Sequence, residues 1–229
     1  MLDQWQEILT IMWRNPLRVV LTSFSIAWGI FMLVILMGAV KGLQNGTEAN
    51  FAGDASNSLW INTGKTSIAY KGFKPGREII MDNSDLGMLT DGVANVESGS
   101  ARNNYWYISP TITYGKRSTS FELVGVSPGY RYLESLTMTS GRFINDIDQK
   151  EQRKVAALGK MAYEQLFEPG QEAVGEYISV NGVMYKVVGV FTDPGGQRDM
   201  SRMYIPLSTS QALYDKPNEA DNIILLVPG

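Results

Sequence analysis

The 229-residue chain contains no cysteine and no histidine. Without cysteine there are no disulfides, no thiolate nucleophile and no lipoprotein-type acylation, although the absence leaves the redox compartment open. Without histidine the commonest general base and the commonest metal ligand are both missing. Charge is sparse as well. Charged residues make up 19% of the chain and its net charge is -3. Residues 42–229 alone carry 17 Lys and Arg against 21 Asp and Glu, with no basic run, which gives little support to a nucleic-acid surface. Phosphate-loop and nucleophile-elbow patterns are missing too, so ATP hydrolysis by this chain is not expected.

What is present begins with residues 19–40, a run of 22 without a charge. Twelve of them are Val, Leu, Ile or Phe. At roughly 0.3–0.6 kcal/mol each near a bilayer centre they favour insertion by several kcal/mol. As a helix the run covers ~33 Å, enough for the hydrocarbon layer. A mean hydropathy of -0.10 over the chain fits one such span plus a large water-soluble part. The run is longer than a signal-peptide core, and MGAVKGL after it is a poor cleavage site, so an uncleaved helix is expected.

Residues 2–13, LDQWQEILTIMW, place Trp5, Leu9 and Trp13 on one apolar helical face, as in a helix lying at a membrane interface. Asn15-Pro16 is a helix-start signal, so a bend and a new helix are expected there. Arg14 and Arg18 precede the span and only Lys41 closely follows it, which predicts a cytoplasmic N-terminus and an exported residue 42–229 segment. Within the span, Thr22, Ser23 and Ser25 are the only hydroxyls, and a helix can satisfy them internally. Thr22, Ser25 and Gly29 share a stripe on which a second helix could pack, although small residues are common in any membrane helix.

Downstream, SLWINT reads as a strand, Asp82-Asn83-Ser84 as the cap of a helix through Leu89, and residues 104–115 and 118–126 as strands turning at Gly115-Lys116-Arg117. GRFINDIDQKEQR reads as a loop, KVAALG as a buried strand, and KMAYEQLF as a helix burying Ala162, Leu166 and Phe167. In GEYISVNGVMYKVVGVF, Asn181-Gly182 supplies the two positive-φ residues of a type I′ hairpin. DPGGQRDMSR reads as a polar loop with Gly195-Gly196 in a turn, then MYIP as a strand, STSQALY as a capped helix and DNIILLVP as the last strand. The sum is an α+β domain with mostly antiparallel sheet. Asp146, Asp148, Asp193 and Asp199 lie in expected loops and read as solvated carboxylates. DIDQKE resembles a calcium loop but lacks its spacing and glycine. Tyr105, Trp106 and Tyr107 read as packing aromatics, with an apolar-ligand surface as the alternative.

The run WQEILTIMWRNPLRVVLTSFSIAWGIFMLVIL resembles the start of MacB/FtsX-like ABC transporter permeases. FELVGVSPGYRYLESLTMTSGRF, KVAALGKMAYEQLF, GEYISVNGVMYKVVGVF and MYIPLSTSQAL follow in the order of the MacB-like periplasmic core domain. The resemblance implies an amphipathic interfacial helix (1–15), a transmembrane helix (16–41) and a two-part periplasmic domain (42–229). A porter-like part would take about 50–100 and 221–229, and a β-rich insertion about 101–220. It further implies an inner-membrane, non-enzymatic permease subunit with no cofactor of its own and ATP on a separate cytosolic ATPase subunit. Efflux, or lipoprotein or peptide export, would follow from ATP-driven movement of the periplasmic domain. The implied partners are membrane lipid, the ATPase, a second permease copy or paired permease, and in some members a periplasmic adaptor and an outer-membrane channel. The family pattern continues past residue 229, so the chain reads as an N-terminal portion, or alternatively a truncated paralogue. The competing functional readings are a single-span anchored extracytoplasmic binding or sensor module and an anchored carboxylate-pair hydrolase.

Overall fold

A computed structural model describes residue 13 and residues 15–51, 57–93, 95–105, 107–108, 110–193 and 197–227. Trp5, Leu9, Arg14, Trp106 and Gly195-Gly196 lie outside the described residues. The chain divides into two compact units, residues 1–49 and 50–229.

In the first unit one helix dominates, α1 (Pro16–Phe51, 36 residues). Its start matches the Asn15-Pro16 signal: the Asn15 carbonyl accepts the first helical bond from Val19 N–H at 3.3 Å, and Pro16 sits where no N–H is needed. The helix does not end near Lys41. It continues past the expected end at residue 41 to Phe51, because residues 42–51 contain no proline and include good helix formers such as Leu43, Gln44 and Glu48.

The second unit opens with β1 (Ser58–Asn62), β2 (Met81–Asp82) and α2 (Asn83–Gly92). β3 (Ser98–Asn104), β4 (Thr111–Tyr114), β5 (Arg117–Ser120) and β6 (Glu122–Val126) follow. Next come α3 (Tyr130–Leu133), β7 (Thr137–Gly141), α4 (Asp146–Lys150), β8 (Val155–Gly159) and α5 (Lys160–Leu166). The chain closes with β9 (Tyr177–Val180), β10 (Val183–Thr192), α6 (Gln197–Met200), β11 (Arg202–Pro206), α7 (Leu207–Leu213), β12 (Glu219–Ala220) and β13 (Asn222–Leu226).

One sheet runs β1-β13-β3-β6-β11-β8-β10-β9-β4-β5, with β7 also on β10, and β12 pairs β2 separately. Two pairings, β11–β6 and β10–β8, are parallel and the others antiparallel. The last strand, β13, is inserted between β1 and β3, so the end of the described chain closes the sheet against its beginning.

The central strands are apolar without alternation because both of their faces are covered. Leu123 and Val124, Ala156 and Ala157, and Met203 and Tyr204 each point to opposite clusters, as a period of two requires. One cluster gathers Leu123, Leu158, Ile178, Tyr185, Met203 and Ile205 with Leu166 and Phe167 of the α5 end. The other gathers Val124, Tyr130, Phe143, Phe191, Tyr204 and Ile224. A third, with Met81, Ala101, Leu207, Ile223 and Leu225, lies towards α2, where Leu86 and Leu89 pack. Each large side chain so buried contributes about 1.5–3 kcal/mol.

Local chemistry explains the turns. Asn181 (φ 48°) and Gly182 (φ 86°) form the β9–β10 turn, and Ile178, Val180, Tyr185 and Val187 are buried on one face. Asp82 caps α2: it accepts from Ser84 and Asp85 N–H, while Asp85 accepts from Asp82 N–H. The Ser84 hydrogen bonds first of all hold the Asp82 carboxyl below its usual range. Gly189 lets β7 approach β10, since a Cβ there would collide with the Arg142 backbone.

Four local expectations are corrected. Residues 104–115 are not one strand, because β3 ends at Asn104 and Tyr105 turns into the core before β4. GRFINDIDQKEQR is not an open loop but contains α4, capped by Asn145. DPGGQRDMSR likewise contains the short helix α6. At α7 Pro206 occupies the cap position, and no side chain caps the helix.

Candidate functional site

Within α1, the Thr22 and Ser25 hydroxyls are satisfied by the helix itself. Thr22 Oγ1 donates to the Arg18 carbonyl at 2.9 Å, and Ser25 Oγ donates to the Leu21 carbonyl at 2.9 Å. These bonds remove the cost of placing hydroxyls in hydrocarbon. A Cβ on Gly29 would meet nothing within 4 Å. Thr22, Ser25 and Gly29 are exposed among the described residues of the helix. Phe24, Trp28 and Phe31 form an aromatic ladder on another part of the surface, with ring centroids 5.9 and 5.7 Å apart. Residues 16–46 form the one helix among the described residues that is long and apolar enough to cross a membrane. Asn15, Arg18 and Trp13 are exposed beside or within this segment.

The second unit holds two ionic clusters that the sequence reading missed. Asp148 is fully buried and receives Arg142 in a bidentate pair, Nη1 to Oδ2 at 2.5 Å and Nη2 to Oδ1 at 3.1 Å. Arg153 Nη1 lies 3.7 Å from the same carboxylate, and Asn145 N–H donates to it at 3.1 Å. Asn145 Oδ1 in turn accepts from Asp148 N–H, so the pair forms a reciprocal cap on α4. Asp148 is thus not a solvated loop carboxylate. The Asn-x-x-Asp spacing at 145–148 was the available signal.

Asp199 is also buried, paired with Arg202 and accepting from Tyr204 OH at 2.9 Å. Arg202 Nε donates to Glu122 Oε2 at 2.8 Å. Burial opposes the Arg202 charge, but Tyr204 and Glu122 outweigh it and its pKa rises. Tyr204 and Tyr130 stack edge to face at 5.2 Å, and Arg102 Nη1 donates to Tyr130 OH at 2.9 Å. Burial is the main reason both phenols are raised above their ordinary range. These ions come together across β6, β11, β3 and α6, so no short sequence window contains them. Asp146, by contrast, is exposed as expected.

Chemically these clusters are closed. Each buried carboxylate is engaged by guanidinium or backbone donors, the arrangement of a structural pair rather than of a free base. Among the described residues no group of three or more His, Cys, Asp or Glu gathers to hold a metal. Tyr105 is in the core and Tyr107 is exposed, with ring centroids 6.2 Å apart. Burial pushes the Tyr105 phenol up to about 12. The clefts are shallow. One of about 590 Å³ is lined by Arg142, Arg153 and Lys186 over Val155 and Val188.

The candidate functional features are therefore the apolar helix and the domain that follows it, and the comparisons cover both. The family model described as the MacB-like periplasmic core domain matches residues 19–229. A pyoverdine export ATP-binding/permease protein, PvdT of Pseudomonas putida, is 23% identical over 92% of this chain and 31% of its own length. A macrolide export ATP-binding/permease protein, MacB of Bdellovibrio bacteriovorus, is 24% identical over 91% of this chain and 32% of its own. The chain thus spans about a third of these relatives. Among solved structures, the periplasmic region of MacB from Actinobacillus actinomycetemcomitans superposes with a TM-score of 0.62 at 21% identity, over 78% of each chain. The extracellular domain of the noncanonic ABC-type transporter YknZ from Gram-positive bacteria gives 0.58 at 20% identity, over 75% of this chain and 84% of that one. Family match, fold and apolar helix agree: the chain belongs to the MacB-like ABC transporter permeases and carries their periplasmic core domain behind an N-terminal apolar helix.

Proposed function

We propose that this chain belongs to a permease subunit that couples ATP hydrolysis on a separate cytosolic ATPase to movement of its extracytoplasmic domain, in efflux or in lipoprotein or peptide export. The observation that carries the reading is the pairing of the family match over residues 19–229 with α1, whose 36 residues span ~54 Å. An uninterrupted helix of that length outreaches the ~30 Å hydrocarbon layer and can transmit displacement to what lies beyond it. The chain itself is not an enzyme in this reading, and ATP binds the partner.

In this reading the protein sits in the inner membrane with its N-terminus cytoplasmic and residues 42–229 periplasmic. Arg14, Asn15, Pro16 and Arg18 form the elbow that sets orientation. Trp5, Leu9 and Trp13 form the interfacial face, and Thr22, Ser25 and Gly29 receive a helix of a second permease. Residues near 50–100 and 221–229 form a porter-like part, and 101–220 the inserted part. The grouping of the first and last segments is supported by β13 pairing with β1. A periplasmic adaptor and an outer-membrane channel are further partners, by analogy with efflux relatives. The test exploits the absence of cysteine. Spin labels on Ser118→Cys in the assembled transporter should report a different inter-copy distance with trapped ATP than without nucleotide. An unchanged distance distribution would refute coupled movement of the domain.

A further inference from the structure

Residues 64–80, GKTSIAYKGFKPGREII, form a small hairpin after β1. Lys65 bridges to Glu78 and Tyr70 to Phe73. Lys71 (φ 46°) and Gly72 (φ 85°) make its tip. Tyr70 N–H donates to Phe73 O at 3.2 Å, and the reverse bond is 3.0 Å. Thr66 N–H donates to Arg77 O at 2.8 Å, and Thr66 Oγ1 accepts from Arg77 N–H at 3.1 Å. The backbone is therefore held in shape by its own bonds. Yet every residue from 67 to 80 is exposed, including Ile68 (78%), Tyr70 (68%) and Phe73 (58%). An ordered segment that presents clustered apolar side chains to water marks an interaction surface.

Its charge identifies the partner. The segment carries Lys65, Lys71, Lys74 and Arg77 against Glu78 alone, a net of +3, whereas residues 42–229 together are -4. The cations lie beside aromatic rings, with Lys71 Nζ 5.3 Å from the Tyr70 centroid and Arg77 4.7 Å from that of Phe73. Aromatic rings interleaved with long cationic side chains match a headgroup layer, where rings settle at the interface and cations meet phosphates.

We propose that the 64–80 hairpin is a membrane-surface contact that seats Tyr70, Phe73 and Ile68 among anionic phospholipid headgroups. The inference rests on α1 being a membrane span, and the experiment separates the two. An environment-sensitive dye is placed on Ala69→Cys, and on Ser118→Cys in β5 as a control, in the whole chain. Each protein is reconstituted into liposomes of phosphatidylcholine, alone or with about a third phosphatidylglycerol. Nitroxide-labelled lipid then quenches dyes that reach the headgroup layer. Failure to co-float with liposomes after an alkaline wash would refute the span. With stable insertion, the expected result is quenching at position 69 that requires anionic lipid, weakens at about 0.5 M salt and is lost in Lys71→Glu/Lys74→Glu. Position 118 should stay unquenched. Absent quenching at position 69, or equal quenching without anionic lipid, overturns the contact. So does a blue-shifted dye in lipid-free micelles that depends on protein concentration, which would assign the patch to a second copy of the chain.

Discussion

Replacing Asp148 with alanine tests whether the buried carboxylate is a structural pair. The substitution removes two hydrogen bonds from Arg142, one from Asn145 N–H and the approach of Arg153. Breaking a fully buried pair costs about 3–5 kcal/mol, because the partner is left as an uncompensated charge. Here the Arg142 and Arg153 side chains are 43% and 45% exposed, so water recovers part of that cost. The Asn145 cap on the Asp148 backbone N–H survives, and only the return bond from Asn145 N–H is lost from the α4 capping box. The expected loss is therefore about 3 kcal/mol, near the lower limit of the buried-pair range. For a domain of this size each kcal/mol moves Tm by roughly 2–4 °C, which predicts a fall of about 6–12 °C. Asp148→Asn keeps the shape and the acceptor oxygen and should fall roughly half as far. The assay is thermal melting by near-UV circular dichroism in detergent, with urea unfolding as a second measure. A Tm within about 2 °C of wild type for the alanine variant would show that solvent fully replaces the pair, and would sink the reasoning.

Two further outcomes follow from the same geometry. Tyr105 is raised to about 12 by burial, and Tyr130, Tyr185, Tyr204 and Tyr214 are raised as well, again mainly by burial. Unfolded tyrosines ionise near pH 10, so the stability from holding these phenols neutral is complete below that pH. It falls as pH rises towards 12, because the unfolded chain releases protons that the folded chain keeps. Tyrosinate absorbance should show several of the 11 tyrosines titrating only on unfolding, and a single normal transition for all of them would refute the burial assignments. Gly29→Leu should leave α1 inserted, since a Cβ there meets nothing within 4 Å among the described residues, but should weaken transporter assembly by cross-linking and reduce transport. Unaltered assembly and transport would remove the packing role of the stripe.

The features legible in the sequence are those set by near neighbours. Residues 19–40 specify an apolar helix by themselves, because insertion depends on composition and a helix closes its own hydrogen bonds, as Thr22 and Ser25 show. Asn15-Pro16, Asp82 and Asn181-Gly182 likewise fix a helix start, a cap and a hairpin through the φ preferences and side-chain acceptors of one or a few residues. The ordered core motifs predicted the α+β fold that the family comparison and the superpositions bear out.

Tertiary structure alone decided what depends on residues far apart in the chain. Asp199 reads as a loop carboxylate until β11 brings Arg202 and Tyr204 alongside, and Glu122 joins them from 80 positions away. Residues 104–115 read as one alternating strand, but the Tyr105 ring is drawn into the core against Tyr214 at 5.0 Å, which breaks the run. The 64–80 segment carries no periodic pattern that marks it as a helix or a strand. Only its folded form shows that no other part of the described domain covers its apolar side chains. Periodicity reports which face of an element is apolar, and a contact between distant elements is set by the packing of the whole sheet.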